Sequence, residues 1–159
     1  MSRTLVIGFG NIDRADDGVA FEVVNALRRR LGQKELSGED TGLEELGETV
    51  DSIFLSQLAP ELMDTLVDYS RVIFADAHVY ENVEDLHCGP VAPDYAPSTF
   101  THHLTPAALL SFLKALYGAE PEARLVSIRG RDFDFHRGLS EEARSLVEPA
   151  VNHILQLVR

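Results

Sequence analysis

A chain of 159 residues with 45% hydrophobic content is long enough to bury a sizeable core in one domain (residues 1–159) and too apolar for disorder. Its formal net charge of −12, from 26 acidic against 14 basic residues, repels nucleic acid and anionic membrane and favours cations or basic segments. One cysteine, Cys88, excludes an internal disulfide framework and any multi-cysteine zinc site. No stretch approaches the ~20 apolar residues that cross a bilayer, and the N-terminus carries neither a basic region nor a long apolar run, so a cytoplasmic protein is expected.

Thr4-Leu5-Val6-Ile7 is a short branched run that predicts a buried strand, and Gly8 and Gly10 release the backbone after it into a tight turn. Strand, glycine turn and helix open a parallel α/β sheet, where ligands sit at the carboxyl ends of strands. A dinucleotide site is disfavoured, because Asp13 stands where the third glycine belongs and Asp16-Asp17 would repel a phosphate. Of that acidic pair, Asp16 is read as the helix cap, leaving Asp17 free to face a cation. Val19, Val23, Ala26, Leu27 and Leu31 make an apolar stripe over a helix from Asp17 to Leu31, with Arg28-Arg29-Arg30 as its solvated end. Gly32 to Gly47 is polar and glycine-punctuated and reads as an excursion from the fold.

Thr49 to Leu55 predicts a second strand, and Pro60-Glu61 open a helix running to about Asp68. Arg71 to Ala77, RVIFADA, is a continuous apolar run, a buried parallel strand with Asp76 at its carboxyl tip. Glu84 to Val91 reads as an antiparallel strand because no helix precedes it, with His87 and Cys88 as packing or edge residues. After the loop Asp94 to Thr101 come His102-His103, then Thr105 as N-cap and Pro106 at the first position of a helix ending near Tyr117. Ala123 to Ile128 is the last strand, and Arg129 to Gly138 a charged loop with aromatics. Ser140 caps a terminal helix that Pro149 should kink or restart. His136 and His153 have no evident partners.

Asp17, Asp76 and one histidine of the 102–103 pair thus come from three loops whose order is compatible with convergence on one rim. Two carboxylates and an imidazole, without thiolate, make a site with open positions for water or a substrate ligand. No GxSxG elbow and no HExxH helix is present.

The ordered motifs GFGN-x5-DG, VIFADA and T-HHL-TP resemble those of the endopeptidases that mature NiFe-hydrogenase large subunits, over nearly the whole chain. The resemblance implies a three-layer α/β/α sandwich with a mostly parallel twisted sheet of about five strands. It implies metal contacts at Asp17, Asp76 and His102, the last by an H-x-L register in which His103 competes. It further implies that the nickel is carried by the substrate, an immature large subunit, and that a C-terminal extension is removed once nickel is in place. The free protein would then be metal-free or hold an adventitious divalent metal. One departure stands out: Ser56-Gln57-Leu58-Ala59-Pro60-Glu61 replaces a glycine-rich loop that family members commonly carry after the second strand. A non-catalytic metal-binding or chaperone module of the same fold is the alternative reading, and a flavodoxin-like nucleotide binder a third.

Overall fold

The computed structural model describes residues 2–94 and 104–158. Five strands form one sheet: β1 (Thr4–Phe9), β2 (Val50–Leu55), β3 (Arg71–His78), β4 (Leu86–Pro90) and β5 (Glu122–Arg129), in the order β2-β1-β3-β5-β4. All neighbours run parallel except β4, which pairs antiparallel with β5. The short β3–β4 connection has no room for a crossover helix, so that hand of pairing follows from chain length.

Helices cover both faces, because β1 from Thr4 to Gly8 and β3 from Val72 to Ala75 are buried at every position and leave no wet side there. On one face α1 (Val19–Arg30), α4 (Glu141–Ser145) and α5 (Val147–Leu157) pack on Val6, Ile73 and Val126. On the other, α2 (Met63–Leu66) and α3 (Pro106–Tyr117) pack on Leu5, Ile7 and Phe74. Odd and even positions of one strand thus feed separate cores, as the period of two requires. The expected three-layer architecture is what forms.

Local differences from expectation have identifiable causes. The second helix is shorter, a 3-10 turn Pro60–Leu62 leading into α2. The terminal helix breaks at Leu146 between α4 and α5, so Pro149 falls in the first turn of α5, where it interrupts nothing. Arg28 is not a solvated helix end. It is buried, donating to Lys34 O and Ser52 O (2.9 Å), with its third nitrogen paired to Glu45 (3.0 Å). The 32–47 excursion is held by these bonds along the open side of β2. Thr41 O there accepts Phe54 N–H (2.9 Å) and Gln33 Nε2 donates to Val50 O (3.0 Å). An edge strand that would otherwise invite pairing is thereby capped.

Strand β1 is followed by β2 on one side and, after crossing back, by β3 on the other. The loops leaving β1 and β3 therefore diverge, and the crevice between them is the topological switch point of the sheet. Gly8 of β1 lies opposite Ala75 of β3, so the first turn leaves the sheet level with Asp76.

Candidate active site

The turn after β1 is folded tightly enough to bring residue 17 back over residue 10. Gly10 has φ +147°, and a Cβ there would lie 2.0 Å from Asp17 O, so only glycine fits. Asn11 N–H donates to Asp17 Oδ2 (2.9 Å), and Asn11 Oδ1 accepts Asp13 N–H (2.9 Å). Asp17 Oδ1 is left without a hydrogen-bond partner among the described residues.

Asp16 does not cap the helix. It is fully buried and belongs to a 3-10 turn, Ala15–Gly18, ahead of α1. Its carboxylate accepts Arg131 N–H (2.8 Å), Asp132 N–H (3.1 Å), Ser140 N–H (2.8 Å) and Ser140 Oγ–H (2.7 Å). Burial alone would raise its pKa, but these four donors together hold it below its ordinary value of 3.8. Backbone bonds continue the seam: Ala15 N–H to His136 O (2.8 Å) and Asp16 N–H to Asp132 O (2.9 Å). Ala15 adopts φ +47° to make the corner, a conformation costing a non-glycine residue about 1–2 kcal/mol. The seam thus sets the 131–140 loop against the β1 turn and points successive carboxylates opposite ways, Asp16 inward and Asp17 outward. His136 is also partnered, with Nε2 2.7 Å from Asp132 Oδ2.

Asp76, near the carboxyl end of β3, meets Asp17 at the switch point. The two carboxylates share the wall between two clefts. The larger, of about 680 Å³, is lined by Gly10, Asn11, Arg14, Gln57 and Leu104 among others; the smaller, of about 420 Å³, by His78, Tyr80, His87, Ser127 and Phe133 among others. The floor of the smaller cleft is a row across three strands, Asp76 opposite Ser127 on β5 and Ser127 opposite His87 on β4. His78, two residues beyond Asp76 and so on the same strand face, places Nδ1 2.8 Å from Ser127 Oγ. Burial pushes the His78 imidazole below its usual pKa.

Burial pushes the Asp76 carboxyl up to about 7, and the nearby Asp17 charge pushes in the same direction, against the Ala77 backbone hydrogen bond. A pair with one reluctant proton is what a cation displaces on binding. The same shift has a sign for stability. The folded state holds the Asp76 proton more tightly than the unfolded state, whose value is near 3.8. Stability contributed by this group is therefore complete below pH 3.8 and lost as pH rises through about 7. Asp76→Asn should be more stable than wild type at pH 8 by about 1–3 kcal/mol, the gain vanishing below about pH 4. Urea denaturation at the two pH values measures it.

His102 and His103 lie outside the described residues. Among the described residues, no three His, Cys, Asp or Glu side chains could hold a metal ion together. Leu104, two residues on from His102, lines the larger cleft with both carboxylates. Gln57 lines it too, with Ser56 and Leu58, so the departing loop faces the same cavity. Sequence reasoning gave no site role to Arg14 or His78 and read His87 as a packing or edge residue. The period of two from Asp76 to His78 was a signal that could have found the second.

No protein-family model matches the chain. It is 25% identical to the hydrogenase 2 maturation protease of Escherichia coli K12, over 99% of this chain and 91% of that protein. It is 28% identical to a putative hydrogenase maturation protease of Methanocaldococcus jannaschii, over 95% and 93%. Among solved structures, the hydrogenase maturating endopeptidase HybD from E. coli shares the fold, with a TM-score of 0.71 at 24% identity over 99% of this chain and 92% of that one. The NiFe hydrogenase maturation protease HycI from Thermococcus kodakarensis does so with a TM-score of 0.66 at 19% identity, over 99% and 92%. Two relatives alike almost from end to end and a shared fold make this chain similar to the hydrogenase maturation proteases, and its carboxylate pair lies at the switch point of that fold.

Proposed function

We propose that this peptidase removes the C-terminal extension of an immature NiFe-hydrogenase large subunit and reads the nickel of that substrate through Asp17, Asp76 and His102. The observation that carries the reading is the meeting of Asp17 and Asp76 at the wall between two clefts, with one Asp17 oxygen unpartnered among the described residues and the Asp76 charge disfavoured by burial. Two carboxylates at a switch point bind a borderline divalent cation only weakly without further ligands. Nickel already held by the substrate supplies those ligands, so affinity comes from completing the substrate's own coordination. Chain reach supports a histidine as third contact: two residues span at most about 7 Å, and Leu104 is already in the cleft.

In this reading the extension lies along the clefts, with the scissile bond beside the metal. The metal then polarises the carbonyl or activates a water, and an unloaded precursor lacks the anchor that brings its peptide there. No helix among the described residues is long and apolar enough to cross a membrane, and the acidic chain disfavours nucleic acid.

The test is cleavage of a nickel-loaded precursor followed by mass spectrometry. Wild type should release the extension. His102→Ala should abolish release while His103→Ala retains it. The reverse pattern would move the ligand to His103, and no cleavage of any candidate precursor would leave the non-catalytic module as the better account.

A further inference from the structure

Among the described residues that line the larger cleft, Arg14 is the one cation. It lines that cavity together with Asp17 and Asp76, half-buried, in a chain whose other charges are mostly acidic. Two contacts fix its guanidinium without neutralising it. Nε donates to Phe133 O (3.2 Å), and the Phe135 ring lies 5.1 Å from Cζ, a cation–π distance. Among the described residues its two Nη groups have no hydrogen-bond or ion-pair partner. The Asp16 seam holds the loop that carries both Phe133 and Phe135, so Arg14 is gripped by a rigid frame.

A guanidinium so arranged costs stability unless something uses it. Partly desolvated donors without acceptors are unfavourable, whereas donors fixed in advance beside a reaction centre stabilise charge that develops there. Asp17 and Asp76 repel a further carboxylate from the cavity, whereas a neutral peptide carbonyl carries no net charge to repel.

We propose that Arg14 is a catalytic residue that donates from its Nη groups to the carbonyl oxygen of the scissile peptide. This rests on the peptidase reading above and names the group that receives the developing negative charge. In hydrolysis one water is consumed. Its oxygen bonds to the carbonyl carbon and the carbonyl pair moves to the oxygen facing Arg14. Collapse then breaks the C–N bond, the amine leaving as an ammonium with both protons of the water and the new terminus departing as a carboxylate.

Arg14→Ala and Arg14→Lys would be assayed on the nickel-loaded precursor beside wild type, with thermal denaturation of each. Arg14→Ala should lower kcat by about 10²-fold with KM little changed, since the charge exists only in the transition state. Arg14→Lys, a point charge without the planar fork, should recover part of the loss. Free guanidinium added to Arg14→Ala should restore part of kcat, which a purely structural role would not allow. Wild-type kcat in Arg14→Ala, an effect on KM alone, or a stable variant that guanidinium fails to rescue each overturns the proposal and leaves the function standing. Wild type that leaves the precursor uncut removes the peptidase reading, and this inference with it.

Discussion

Asp17→Asn and Asp76→Asn should each lower processing of a nickel-loaded precursor by about 10³-fold or more, equivalent to about 4 kcal/mol of transition-state stabilisation. The substitution is chosen because it separates charge from shape. An asparagine oxygen at position 17 can still accept the Asn11 N–H that shapes the turn, so the fold should survive. The anionic oxygens that would meet the metal are lost. At position 76 the structural consequence has the opposite sign from the functional one. The carboxylate is held against its preference by burial and by Asp17, so removing its charge should stabilise the protein at pH 8 while ending its activity. An inactive variant that melts higher is the signature of a group kept for function at a cost in stability. Normal processing by Asp76→Asn would remove Asp76 from the site.

The second large effect is expected at the neighbouring Asp16, and it is structural. Four donors converge on this fully buried carboxylate, three of them backbone N–H groups from the loop opposite. Asparagine would turn an amide NH2 toward donors that need an acceptor, leaving buried N–H groups unsatisfied. A loss of about 3–4 kcal/mol is expected for Asp16→Asn, or about 10 °C in Tm for a chain of this size. The pH dependence has a definite sign. The folded-state pKa lies below 3.8, so the stabilisation is complete above that value and lost as pH falls through the folded one. Wild type and Asp16→Asn should therefore differ fully at pH 7 and converge in acid. A Tm within about 2 °C of wild type at pH 7 would show that the seam contributes little. Because the same seam carries Phe133 and Phe135, processing should fall as well, in step with stability and without rescue by guanidinium.

The adjacent acids show where sequence reading ends. Local chemistry distinguishes a cap from a ligand, and both readings of Asp16-Asp17 were local. The actual role of Asp16 is to satisfy a loop more than a hundred residues away in sequence, which no helix-start signal encodes. Arg28 failed for the same reason: a basic triplet at a helix end reads as solvated, yet Arg28 is committed to the 32–47 excursion and the open side of β2. Where information was local and periodic, it transferred well. The apolar runs at 4–7 and 71–77 became central strands, Thr105 and Ser140 cap their helices through side-chain bonds to Ala108 and Ala143, and the antiparallel sense of β4 followed from its short connection. Asp17 and Asp76 could be picked out because one follows a buried strand of a parallel sheet and the other stands near the carboxyl end of its neighbour. Strand order, which makes β1 and β3 neighbours and opens the crevice between their loops, was not written in any one segment.

The central claim is that cleavage waits for the substrate's nickel. Its most direct test is one wild-type preparation mixed with nickel-loaded and nickel-free forms of the same immature large subunit, with loss of the C-terminal extension followed by mass spectrometry. The account predicts that only the loaded form is shortened. Equal shortening of both would contradict it, keeping a peptidase in place but taking metal recognition away from Asp17 and Asp76.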